Sequence, residues 1–415
     1  MTNLAWNVER VLPSAIADLH RLISIPSISS MPEHDADVAA CADAVSGLFR
    51  DLGASEVKLL DGGGKPAVWA NFPGPEGTPT VLLYAHYDVQ PTGDTDAWTS
   101  PAFEPTERDG RLYARGSADD KGGVALHVAA LRVFDGKPPV GVKVFIEGEE
   151  EVGSPSMPTL LDRYRDELAA DVYVVADSVN WEVGKPSLTT SLRGVADCQV
   201  TVSTLAEGLH SGQFGGVVPD ALTALCRLLA TLHDDAGNVA IEGLVTGTAP
   251  DLDYPEDRLL EETGLLEGVS QIGDGSVVER MWFKPAASVL AIDATPVAKA
   301  SNTLIPSARA KVSVRLVPGQ DPAAAAKALE EHLRRNAPWG AHVDVVAGQC
   351  GAPGRITLEG ERAEAAKTAF REAFGVDAVE IGCGGSIPIV AEFADRNPGA
   401  LVLVTAVTDP NSRMH

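Results

Sequence analysis

The sequence predicts an α/β fold: an open, mostly parallel sheet domain interrupted by an inserted two-layer α+β domain. Three observations carry this expectation. The chain has 415 residues, more than one ordinary core holds and enough for two domains. The runs Ala67–Phe72, Thr80–Tyr84, Val142–Ile146, Val172–Val175 and Leu401–Val407 are apolar almost throughout, as in strands covered on both faces. Between them, Val195–Val202 and Ala310–Val317 alternate polar with apolar residues, the mark of a sheet with one wet face.

The elements follow in order. Val8, Val11, Leu12, Ile16, Leu19, Leu22 and Ile23 recur at helical spacing, so an amphipathic helix opens the chain. A second helix is expected near 36–52, and a third over Lys121–Phe134. In the middle, one helix follows Asp220, and another has Asp321 as N-cap with Pro322 in its first turn. Those two helices and four strands suit a two-layer unit. A helix near Arg362–Phe374 returns to the first style. The division this implies is 1–187 with 353–415 as one domain and 188–352 as the insertion. The stretch 234–285 is acidic and loop-rich, without an assigned element.

Hydrophobic residues at 45% and charged residues at 22% exclude disorder and fibres. A net charge of −25 repels phosphate backbones and anionic lipid, so neither nucleic acid nor membrane is an expected partner. The first ten residues lack a basic segment followed by an apolar run, and no apolar run approaches bilayer length. Five dispersed cysteines without a CxxC pair point to thiols in a reducing cytoplasm.

The buried-type runs end in metal-binding residue types. Thr80–Tyr84 leads to His86 and Asp88, Val142–Ile146 to Glu147, Glu149, Glu150 and Glu151, and Val172–Val175 to Asp177. Leu401–Val407 leads toward Asp409 and His415, and Asp119 sits in the Gly-rich turn 116–123. Open α/β sheets place their sites outside the carboxyl ends of the strands. Each piece alone has a bland reading: a helix cap, a turn residue, a solvated acidic face. Together, three contiguous carboxylates at the end of a buried strand would repel one another without a cation nearby. Imidazole plus carboxylates without a thiolate set suits Zn2+ or Mn2+. Five such groups exceed one tetrahedral site and fit two metals sharing a bridging carboxylate, a hydrolase device.

The sequence resembles the co-catalytic di-metal peptidases that include carnosine-type dipeptidases, aminoacylase, acetylornithine deacetylase and glutamate carboxypeptidases. The matching stretches are YAHYDVQP (84–91), GSADDKGG (116–123), EGEEEVGS (147–154), VVADS (174–178), LHSGQFGG (209–216), SVRLVP (313–318) and CGGSIPIV (383–390). YAHYDVQP and HSGQFGG look most like the dipeptidase branch.

The resemblance implies roles. His86, Asp119, Glu151, Asp177 and His415 would ligate two divalent metals, with zinc the first choice and manganese the second. Asp119 would bridge them, with a cis bond to Asp120. Asp88 would orient the His86 ring, and Glu150 would be the general base for a metal-bridging hydroxide. Glu151 is set by counting back from Gly153-Ser154. Gly384, Gly385 and Ser386 would hold a substrate carboxylate, with Arg315, Asn302 and Thr303 as further contacts from the insertion, the family's lid domain. Without the resemblance, Arg315 reads as a solvated strand residue and His210 as a surface histidine. The resemblance makes His210 an oxyanion donor exchanged across a homodimer formed by the lids. The family chain continues past the last ligand, so the metal shared by Glu151 and His415 is expected to be the weaker one. The implied reaction is amide hydrolysis in dipeptides or short peptides with a free carboxylate. The alternatives are N-acyl amino acid deacylation, of the acetylornithine deacetylase or succinyl-diaminopimelate desuccinylase type, and a non-catalytic binding protein on the same fold.

Overall fold

The computed structural model describes residues 4–385 and 387–414. In chain order the principal strands are β1 (Glu56–Leu60), β2 (Ala67–Phe72), β3 (Thr80–His86), β4 (Gly141–Glu147), β5 (Val172–Val175), β6 (Gly194–Ser203), β7 (Ala286–Asp293), β8 (Ser307–Leu316), β9 (His342–Gly351), β10 (Val379–Cys383) and β11 (Leu401–Val404). The principal helices are α1 (Leu4–Ile23), α2 (Asp35–Asp51), α3 (Lys121–Val133), α4 (Ala221–Ala230), α5 (Pro322–Arg335), α6 (Glu361–Phe374) and α7 (Pro388–Arg396). Two compact units result: residues 1–190, 356–381 and 387–415 form the first, and 191–355 with 382–386 the second.

The first unit is built on a six-stranded sheet in the order β1-β2-β4-β3-β5-β11. Strand β3 runs parallel to β4 and β5, and β5 parallel to β11. Strand β2 alone runs against its neighbours, antiparallel to both β1 and β4. The mostly parallel sheet expected from continuous apolarity is therefore present. Val144, Ile146, Ala85 and Val68 pack with Val38, Val45 and Phe49 of α2 and Val124 and Val128 of α3 in one core. Strand β11 stops at Val404, three residues before the apolar run ends.

Two buried polar residues of α3 belong to this core. Lys121, fully buried, donates from Nζ to the carbonyls of Leu22 (2.8 Å) and Ile25 (2.6 Å), so its ammonium caps the end of α1. His127 meets the Tyr84 carbonyl through Nε2 at 2.8 Å, and burial holds its pKa down at about 4. It is a neutral structural imidazole.

The second unit is a four-stranded antiparallel sheet, β7-β8-β6-β9. Helices α4 and α5 lie on one face, where Leu225, Leu228, Leu329 and Leu333 pack on Val200, Val312 and Val314. The side chains of Asp220 and Asp321 cap α4 and α5 by accepting from the amides of Thr223 (3.0 Å) and Ala324 (2.7 Å).

Two details lie outside the alternation argument. Strands β6 and β8, the two that show the alternation, are the inner strands, and β7 and β9 are the edges. Alternation reports which face is wet and carries no information on lateral neighbours. Asp197, expected on the wet face, is 6% exposed. A bulge in β9 between Ala347 and Cys350 folds over it, so that it accepts from the Gln349 amide (3.1 Å) and pairs with Lys311 (3.2 Å). Gly348 permits this: a Cβ there would lie 1.9 Å from Asp197 Oδ1.

Candidate metal centre

The carboxyl ends of the parallel strands β3, β4 and β5 deliver the acidic groups. His86 ends β3 and is 1% exposed in its side chain. Its Nδ1 donates to the Asp88 carbonyl at 3.0 Å, with Asp88 Oδ1 at 3.4 Å. That leaves Nε2 facing Asp119 Oδ1 at 3.0 Å and Asp177 Oδ1 at 3.9 Å. Burial alone would lower the His86 pKa, but the bonds to Asp119 and Asp88 and the charge of Asp177 outweigh it and raise the pKa well above the ordinary value.

Asp119 lies in the turn before α3, and the Asp119–Asp120 peptide is cis, the geometry that the resemblance implied. Asp120 is buried and accepts from the amides of His86 (3.2 Å) and Gly123 (3.1 Å). It caps α3 and anchors the histidine backbone in one contact, a role the sequence reading missed although Asp120 adjoins Asp119 in the quoted motif.

The acidic triplet separates by its hydrogen bonds. Glu149 is buried and turned away, accepting from the Lys65 amide (2.8 Å) and from Ser156. Glu151 accepts from the Gln90 amide (3.2 Å) and from Gln90 Nε2 (2.9 Å). Glu150 feels Asp177, Glu147 and Glu151, and burial followed by these charges lifts its carboxyl well above the usual range. Asp88, fully buried, accepts from the backbone amides of both Glu150 and Glu151, each at 3.2 Å. It therefore touches the His86 ring and the acidic turn together. Glu147, beneath them, receives the Tyr84 hydroxyl, and burial pushes its pKa up to about 8.

Two groups of potential ligand atoms lie within 4.8 Å of one another: His86, Asp120 and Asp177, and His86, Asp119 and Glu151. His415 falls outside the described residues. Burial, then the neighbouring carboxylates, push Asp177 up to about 7 and raise Asp120 well above its ordinary value. Carboxylates this close, buried at Asp120 and half-buried at Asp119, Glu151 and Asp177, call for a cation. One imidazole with hard oxygen donors fits a divalent ion of the zinc or manganese kind.

Residues 82–409 match Peptidase family M20/M25/M40. The chain belongs to this family. Among its relatives, a cysteinylglycine-S-conjugate dipeptidase of Corynebacterium striatum is 35% identical, over 100% of this chain and 91% of that protein. A β-Ala-His dipeptidase of Rattus norvegicus is 30% identical over 92% of this chain and 83% of its own length. The solved di-peptidase Dug1p of Saccharomyces cerevisiae superposes with a TM-score of 0.84 at 25% identity, covering 98% of this chain and 91% of that one. Human carnosine dipeptidase 1 shares the fold, with a TM-score of 0.83 at 24% identity over 98% and 92% of the two chains. This M20 peptidase is thus a hydrolase of the dipeptidase branch, in a metal-dependent family whose ligand chemistry its own cluster fits.

In the second unit of the M20 peptidase, the remaining predicted residues fall into two places. His210 pairs with Thr303 in a short antiparallel ladder, and the Ser211 amide donates to the Asn302 carbonyl at 2.9 Å. His210 is exposed there. Arg315 is exposed on β8, Gly384 is exposed and Gly385 half-buried, while Ser386 falls outside the described residues. Arg193 was missed. It is 6% exposed, and its Nη2 donates to the carbonyls of Arg280 (2.8 Å) and Lys284. Burial and then the Arg315 charge lower its pKa to about 10. In the sequence it is one arginine before a glycine, with no signal that separates it from a surface residue. Among the described residues no helix of this peptidase is long and apolar enough to cross a membrane.

Proposed function

We propose that this peptidase hydrolyses the amide bond of dipeptides or short peptides that carry a free carboxylate, with Glu150 as general base. One observation supports this above the others. Glu150 stands amid the ligand-type groups but belongs to neither candidate metal set, and its carboxyl is raised toward the working range of a proton carrier. His86, Asp119, Asp177, Glu151 and His415 would hold two divalent cations, zinc before manganese. When bound, such ions supply Lewis-acid polarisation and lower the pKa of water. Glu150 takes a proton from the attacking water and returns it to the leaving nitrogen. Asp88 fixes the His86 ring and, through two amides, the backbone from which Glu150 acts.

Arg315, with Gly384, Gly385 and Ser386, takes the substrate carboxylate, and Asn302 and Thr303 line the same unit's contribution. Replacing Arg315 by Gln should raise KM so that kcat/KM falls about 10–100-fold, as for a lost charge-assisted hydrogen bond. A dipeptide amide, lacking the carboxylate, should show no such difference between variant and wild type.

The substrates for which the relatives are named favour dipeptides over N-acyl amino acids. A panel of Cys-Gly, β-Ala-His, other dipeptides and acetyl- or succinyl-amino acids, run with Zn2+ and with Mn2+, tests this. Turnover confined to the acyl-amino acids would replace the dipeptidase reading with deacylation. Thiol-state cysteines support a cytoplasmic enzyme.

The working form we propose is a homodimer through the second unit, in which exposed His210 donates to the oxyanion in the other subunit's site. Mixing inactive His210→Ala with inactive Glu150→Ala subunits should restore up to one working site per mixed dimer. Absence of activity after proven subunit exchange would show that His210 acts within its own chain or not at all.

A further inference from the structure

Cys383 ends β10 and precedes the Gly384–Gly385 turn. It is half-buried, and its carbonyl accepts from the Arg193 amide at 3.1 Å. Its Sγ lies 3.9 Å from where a Cβ on Gly385 would stand, so the thiol lies along the turn. The backbone contact brings in Arg193, whose guanidinium is more than nine-tenths buried and close enough for its charge to feel the Cys383 sulfur. The Arg193 Nε is buried without a hydrogen-bond partner among the described residues. A buried guanidinium with an orphan donor and a second guanidinium, Arg315, close enough to be felt is a place short of an anion. Cationic neighbours also favour the thiolate, the form in which a cysteine attacks.

We infer that Cys383 is a modification site that reacts selectively with carboxylate-bearing small disulfides, drawn in by Arg193 and Arg315, and that the adduct blocks the Gly384–Gly385 turn. The thiol first loses its proton to solvent. The thiolate attacks one sulfur of the disulfide, a new S–S bond forms, the old one breaks, and the other half leaves as a thiolate. No further oxidant is required. The blocking claim rests on the reading of this turn as the substrate-carboxylate site.

The other cysteines provide the controls. Cys41 and Cys198 are buried, and burial raises the pKa of both, Cys198 to about 12. Cys226 and Cys350 are exposed and serve as internal references. The metal-loaded full chain is treated with oxidised glutathione, which is anionic, or with neutral 2-hydroxyethyl disulfide. Adducts are then quantified at each cysteine by peptide mass mapping. The anionic-to-neutral rate ratio at Cys383 should exceed that at Cys226 by about tenfold, and Arg315→Gln should bring it down toward the Cys226 value. Equal ratios at the two positions, or no adduct at Cys383 with either reagent, would overturn the assignment. Activity should fall in step with the Cys383 adduct and return with dithiothreitol. Cys383→Ser, compared with its own untreated control, should show no such fall. Selective labelling with full activity would overturn the blocking claim, and with it the turn's place in the substrate site, while leaving the modification site standing.

Discussion

Glu150→Gln is expected to lose roughly 10²–10⁴-fold in kcat, the usual worth of a positioned general base, while its metal content stays at the wild-type level. The amide matches the carboxylate in size but cannot take a proton from water at neutral pH. Its backbone amide would still donate to Asp88, since that contact does not involve the side chain. Glu151, held by Gln90, should keep its place. Removing a negative charge from among Asp177, Glu147 and Glu151 should also relieve repulsion, so the metal-free variant should melt no lower than the wild type. Metal analysis, steady-state kinetics on a dipeptide and thermal unfolding make the three checks. Near wild-type turnover would remove Glu150 from the base role.

Exhaustive chelation is the second large effect. Hydrolysis should fall to the background of the assay and return on adding zinc or manganese. The same treatment should change how stability depends on pH. Asp177 has a folded-state pKa of about 7 against an ordinary 3.8, raised first by burial. The metal-free folded state therefore holds a proton that the unfolded chain has released. Stability attributable to this group is highest below the unfolded pKa and is lost as pH rises through the folded one, between about 4 and 7. A bound cation replaces that proton. The rise in melting temperature on adding metal should thus be larger at pH 8 than at pH 5. Asp177→Asn should reduce that pH dependence, since its amide does not titrate. A metal-induced shift independent of pH in the wild type would mean that the Asp177 carboxyl is not where the cation binds.

Much of this architecture could be read from residue order. Two-sided burial writes itself as unbroken apolarity, which is why Thr80–Tyr84 and Val142–Ile146 were recognisable as inner strands. The convergence of His86, Asp119, Glu151 and Asp177 followed from a general property of parallel sheets combined with motif likeness. What stayed hidden depends on contacts between distant segments. Asp197 looks wet until a bulge some 150 residues later covers it, as its bond to Gln349 records. The triplet of glutamates offers three equivalent carboxylates until Lys65 and Ser156 take one of them and Gln90 another. Arg193 becomes distinctive only through the carbonyls of Arg280 and Lys284 that hold it.

The Asp88 carboxylate grips main-chain amides at 150 and 151, not the side chains that those positions carry. The turn is therefore a socket whose shape is independent of its contents. Exchange of either side chain alters the chemistry presented there without redrawing the loop. New reactivities could be tried at position 150, an alcohol or a thiol in place of the acid, on an unaltered scaffold. Substituting Asp88 itself would do the reverse, keeping every reactive group and letting the platform beneath them drift.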